Sequence, residues 1–147
     1  MPSTRASRTI AAPVRDVWEL ILDPHHLPRW WPRVARVEAV EGDAFTELLA
    51  SPRGRLVRAD FQVLAQDEGE LVLRWGQQIE GTPFARLLAS AETELSLQPA
   101  AGQATEVTIE LHQRLRGILP QLGASRVRRA ARETLNEALD GLERIFG

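Results

Sequence analysis

Between Val34 and Arg116 the apolar residues recur at every second position in six successive segments, while on both sides of that region they recur at helical spacing. This change of period limits the fold more than any other feature. A period of two sends side chains to alternate faces of a strand, whereas a helical period gathers them on one face of a helix. The six segments are Val34–Glu41, Ala44–Ser51, Arg55–Ala65, Leu71–Trp75, Ala85–Gln98 with a break near Ser90, and Thr105–Arg116. In the third, Val57, Ala59, Phe61 and Val63 alternate with Arg58, Asp60 and Gln62. In the last, Val107, Ile109, Leu111 and Leu115 oppose Thr108, Glu110, His112 and Arg114. Half-buried strands read this way, and turn sequences such as Glu41-Gly42-Asp43 and Asp67-Glu68-Gly69 separate them. Short strands joined by tight turns pair antiparallel and meander.

The flanks supply the partners that such a sheet needs. Thr4 to Ala11 reads as a further strand, with Ala6, Arg8 and Ile10 on one face. Pro13 suits the first turn of a helix. Val14, Val17, Trp18, Ile21 and Leu22 then form one apolar stripe, and Asp23-Pro24 ends it. Pro24 to Pro32 is too proline-rich for more than a short helical turn or two. Gly117 to Gly123, with Pro120 inside, reads as a loop. From Ala124, with Ser125 or Gly123 as its start, Val127, Ala131, Leu135, Ala138, Leu139, Leu142 and Phe146 mark a helix of about six turns. The expected class is α+β, a sheet of about seven antiparallel strands closed by the long C-terminal helix, in one domain spanning 1–147. No internal repeat or linker interrupts it.

Composition removes several chemistries. There is no cysteine, so disulfides, thiolate metal sites and a cysteine nucleophile are absent. All 18 basic residues are arginine and there is no tyrosine, which leaves no Schiff-base lysine, no covalently bound pyridoxal phosphate and no phenol donor. Acid–base work falls to carboxylates and to His25, His26 and His112. A net charge of −2 argues against a general nucleic-acid binder. No apolar run is long enough for a membrane span. The start, Met1-Pro2-Ser3-Thr4-Arg5, lacks the apolar core of a signal peptide, so a cytoplasmic location is the default expectation.

Ile10-Ala11-Ala12-Pro13-Val14-Arg15-Asp16-Val17-Trp18, then Leu22-Asp23-Pro24 and Leu27-Pro28-Arg29-Trp30-Trp31-Pro32, carry a family resemblance. With the order of elements, they make the chain resemble the polyketide cyclase/dehydratase family of the helix-grip superfamily, which also holds birch-pollen-allergen-like and START-like domains. The resemblance covers nearly the whole chain. It implies a curved sheet wrapped around the long helix, with a cavity for lipophilic compounds between them. It implies no particular catalytic residue, because fold alone does not carry function.

The wall of that cavity is expected to comprise Phe61, Val63, Leu73, Trp75, Ile109 and Leu111 from the sheet, Ala131, Leu135 and Ala138 from the helix, and Trp31 near the mouth. Trp30-Trp31 reads either as a pocket lip or as a core plug. Arg74, Glu92 and Glu94 fit a polar outer face, and Arg126, Arg128, Arg129 and Arg132 fit a solvated helix face. His25 and His26 are adjacent and His112 is distant, so no metal-ligand spacing exists and neither metal nor cofactor is expected. Three function classes remain. The first is a carrier or sensor binding a small lipophilic molecule, as monomer or homodimer. The second is a cofactor-independent cyclase or dehydratase. The third is a protein-interaction, co-chaperone-like domain.

Overall fold

The computed structural model describes residues 3–117 and 121–147. Its elements are β1 (Ser3–Ile10), α1 (Val14–Leu22), a 3-10 turn at Pro24–His26, α2 (Leu27–Trp30), β2 (Val34–Glu41), β3 (Ala44–Ala50), β4 (Leu56–Asp67), β5 (Val72–Gln77), a 3-10 turn at Pro83–Arg86, β6 (Leu88–Ala100), β7 (Ala104–Leu115) and α3 (Gln121–Phe146). The strands form one antiparallel sheet in the order β1-β7-β6-β5-β4-β3-β2. Strands β2 to β7 meander. The connection through α1 and α2 carries the chain from one edge of the sheet to the other.

Registers fix the faces. Ala6 pairs with Ile109, Phe45 with Phe61, Val63 with Trp75 and Leu95 with Ile109, so the apolar alternation of each strand meets that of its neighbour. Register shifts at Glu38/Glu41, Val63/Ala65 and Leu88/Ser90 add bulges. Such bulges bend strands, and here the sheet is curved into a trough. On the outer face Thr46 donates to Asp60 over 2.6 Å, and Arg74 faces Glu92.

The stripe on α1 buries Val17, Trp18 and Ile21, and Asp23 stops the helix in extended backbone while accepting from the His25 N–H. On α3 Ala131, Leu135, Ala138, Leu139 and Leu142 are buried. Gly141 lies against the Trp30 backbone so closely that a Cβ there would sit 2.2 Å from the Trp30 carbonyl oxygen. Arg8 ties β1 to α3 through Asp140 and through Glu143 at 2.6 Å.

Several strand ends shift by one or two residues, and β5 runs on to Gln77, but two boundaries differ in kind from the sequence expectation. Ala85 to Leu87 do not extend the sixth strand, because Pro83 opens a 3-10 turn and β6 begins at Leu88. Proline presets the backbone for such a turn and withholds an N–H from the ladder. Helix α3 begins at Gln121, so Gln121 to Gly123 belong to it, while residues 118–120 of the expected loop lie outside the described residues. A glycine weakens a helix by only about 1 kcal/mol, which packing of the long apolar face offsets. No helix among the described residues is long and apolar enough to cross a membrane.

Candidate functional site

The trough is filled at one end and hollow at the other. At the filled end Leu73, Leu95, Leu97, Val107 and Ile109 of the sheet meet α1, α2 and the second half of α3, where Leu135, Ala138, Leu139 and Leu142 are buried. At the hollow end the first half of α3 supplies Val127, Ala130, Ala131 and Thr134 to a cavity of about 520 Å³. That volume lies within the roughly 300–1,000 Å³ typical of small-molecule sites. Strands β3 to β7 form its floor, and the exposed residues Arg33, Ala50, Pro52, Leu87 and Ala130 mark its open rim.

Of the residues expected to form the wall, Trp31, Phe61, Trp75, Leu111 and Ala131 line this cavity. Val63, Leu73, Ile109, Leu135 and Ala138 belong to the packed core instead. Alternation correctly puts them on the inner face, but it carries no information on how far along the trough the helices fill it. Trp30 and Trp31 divide the two readings of their dipeptide. Trp30 is fully buried in the core, while half-buried Trp31 lines the cavity. An aromatic chain runs from Trp30 to Trp31 at 5.4 Å between centroids, to Trp75 at 5.8 Å, then to Phe45 at 6.2 Å, with Phe61 stacked on Phe45 at 5.3 Å. The first three contacts are edge-to-face, the orientation that the ring quadrupoles favour.

Glu47 is the unexpected member of the wall. It sits mid-strand on β3 between Phe45 and Leu49 on the same face, opposite Val37 of β2 and Ala59 of β4. It is 3% exposed and lines the cavity. Among the described residues it makes no side-chain hydrogen bond and no ion pair. Burial pushes its carboxyl up to about 8, because a desolvated carboxylate without donors is disfavoured. Asp60, on the neighbouring strand but facing outward, goes the other way. The hydrogen bond from Thr46, aided by Arg58, holds it below the usual carboxylate range despite some burial.

Five further uncharged polar residues line the cavity, Ser51, Gln77, Thr93, Gln113 and Thr134. Gln77 Nε2 is buried without a partner. For Glu47, Gln77 and Gln113 a signal was present in the sequence. Glu47 interrupts Phe45-x-Glu47-x-Leu49, Gln113 continues Val107-x-Ile109-x-Leu111, and Gln77 follows Leu73-x-Trp75 beyond the point where the expected strand ended. The histidines take no part. His25 Nδ1 lies 2.9 Å from Asp23, and His112 Nε2 lies 2.9 Å from Glu110 on the polar side of β7. Arg126, Arg128, Arg129 and Arg132 are exposed and are not among the lining residues.

A family model described as polyketide cyclase / dehydrase and lipid transport matches residues 1–147. Among solved structures, a START superfamily protein from Mycobacterium smegmatis superimposes with a TM-score of 0.78 at 15% identity, covering 98% of this chain and 96% of that one. A Thermus thermophilus protein gives 0.74 at 25% identity, over 97% and 95% of the two chains. The di-domain ARO/CYC BexL, from a biosynthetic pathway, gives 0.81 at 18% identity, with 98% of this chain matched to 46% of BexL. No curated protein matches the sequence.

Proposed function

Given that the chain belongs to the polyketide cyclase/dehydrase and lipid transport family, we propose that its cavity binds one small, mostly apolar molecule, as a carrier or sensor does. The observation that carries this reading is the hollow of about 520 Å³ left between β3–β7 and the first half of α3, walled by Trp31, Phe61, Trp75 and Leu111. Mainly apolar walls with a few placed polar groups are the usual character of a ligand site. Trp31 and Trp75 give the test a built-in signal. Titration with lipophilic compounds should shift or quench tryptophan emission saturably and raise the melting temperature. A panel spanning lipids, quinones and polyketide-like compounds that leaves both unchanged would remove the reading.

A second reading, cofactor-independent cyclisation or dehydration, draws support from Glu47. Such chemistry on a carbonyl chain needs a base beside an acidic C–H and a donor for the enolate oxygen. A buried carboxyl near neutrality serves as the first, and the lining side chains of Thr93 and Gln113 are candidates for the second. Glu47→Gln should then bind a substrate with little change and lose turnover by 100-fold or more, within the usual range for a general acid–base group of roughly 10²–10⁴. Equal turnover would end this reading and leave binding untouched. Protein docking gains no such support, since the exposed large apolar side chains among the described residues are Leu56, Leu64 and Leu87, too few for a broad patch.

A further inference from the structure

We infer that Glu47 selects the cavity's ligand, donating a hydrogen bond to a carbonyl or hydroxyl oxygen of a neutral lipophile and disfavouring lipids that carry a carboxylate. The inference rests on the container reading and goes further by naming the chemistry that the container accepts. Glu47 is almost fully buried, lines the cavity and has no protein partner among the described residues. No cation neutralises it. Val37 and Ala59 face it from the flanking strands, and Val127, Ala131 and Thr134 line the cavity from α3. The other charged residue of the lining, Arg33, is exposed at the rim.

A carboxyl in that setting keeps its proton at neutral pH and is a donor rather than an anion. Gln77 Nε2 is closed off from the hollow, which leaves Glu47 as the unpartnered buried carboxyl that faces it. Buried donors without partners favour a ligand that brings acceptors, because each unmade hydrogen bond is expensive. The ligand class that satisfies Glu47 is therefore an apolar skeleton bearing a ketone or hydroxyl oxygen. A carboxylate would have to be desolvated beside a group that ionises with the same sign. A hydrocarbon would leave that donor unmet. An amine would instead have to draw the proton off Glu47 and pair with the resulting anion.

Four ten-carbon probes separate these cases: 2-decanone, decane, decanoate and decylamine. Their affinities would be measured at pH 7 by tryptophan emission, with native mass spectrometry as a check. The wild type should bind 2-decanone at least ten-fold more tightly than decane, decanoate or decylamine. Glu47→Leu should lose that preference over decane while still binding decane. Glu47→Gln, which keeps an N–H donor, should hold 2-decanone within about three-fold and lose the weakening that the wild type shows above pH 8. Decanoate binding as tightly as the ketone, decylamine binding more tightly, or an unchanged preference in Glu47→Leu would each overturn the role given to Glu47 while leaving the container intact. Failure of every probe, decane included, would overturn the container reading and this inference with it.

Discussion

Glu47 and Gly141 show how single positions carry opposite demands. A carboxyl whose ordinary pKa of 4.5 rises to about 8 on folding binds its proton more tightly in the folded chain. The folded state thus holds more protons than the unfolded state between those values, so stability must fall as pH rises through that window. The penalty is absent below about pH 4.5 and reaches on the order of 3 kcal/mol by pH 7. Urea unfolding at pH 5 and pH 8 should register this loss in the wild type. Glu47→Gln should flatten the profile and be more stable at pH 8 by about 2 kcal/mol. A wild-type profile with no decline would mean that the carboxyl is solvated or paired. At Gly141 helix propensity favours alanine by about 1 kcal/mol. The Trp30 carbonyl, 2.2 Å from where a Cβ would lie, forbids it, since backbone stands on both sides of the contact. Gly141→Ala should therefore destabilise by about 3 kcal/mol, as overpacking does, measured by denaturant midpoint. A stabilised variant would mean that α2 and α3 stand further apart.

Helix α3 does two tasks along its length. Its second half, with Leu135, Ala138, Leu139 and Leu142 buried, completes the core. Its first half roofs the cavity, where Ala131 is the small buried residue over the floor. Ala131→Phe should fill the hollow and abolish tryptophan-detected binding, with a folding cost of about 2 kcal/mol or less. Retained affinity would place the ligand elsewhere. By contrast the tie from half-buried Arg8 of β1 runs to the exposed carboxylates of Asp140 and Glu143 on α3. Arg8→Ala should cost less than about 1 kcal/mol, as exposed ion pairs do. The elements themselves were legible from periodicity, and their limits were less so. Alternation alone could not tell that Ala85–Leu87 enter a turn seeded by Pro83, nor that the long helix starts as early as Gln121.

Across the whole molecule, the sheet order and the grip on α3 follow from the order of strand and helix patterns, with bulges where the alternation slips, as at Val63/Ala65. The cavity follows only in part. Trp31, Phe61, Trp75, Leu111 and Ala131 could be assigned to an inner wall, yet Leu73, Ile109 and Leu135 share the same pattern and pack solidly. What separates the two groups is position along the trough. That depends on where α1, α2 and the end of α3 close over the sheet, a long-range property that no local period encodes. Polar residues in the lining were overlooked for a related reason. A lone Glu47 or Gln113 inside an apolar alternation looks like noise until the hollow beside it is known.

Native mass spectrometry of the freshly purified protein, repeated after adding a neutral ketone-bearing lipophile, decides whether the cavity holds a ligand. A one-to-one complex that survives desolvation and is lost in Ala131→Phe is expected. A chain that stays empty as purified and takes up none of the added compound, with Ala131→Phe behaving identically, would contradict the container reading.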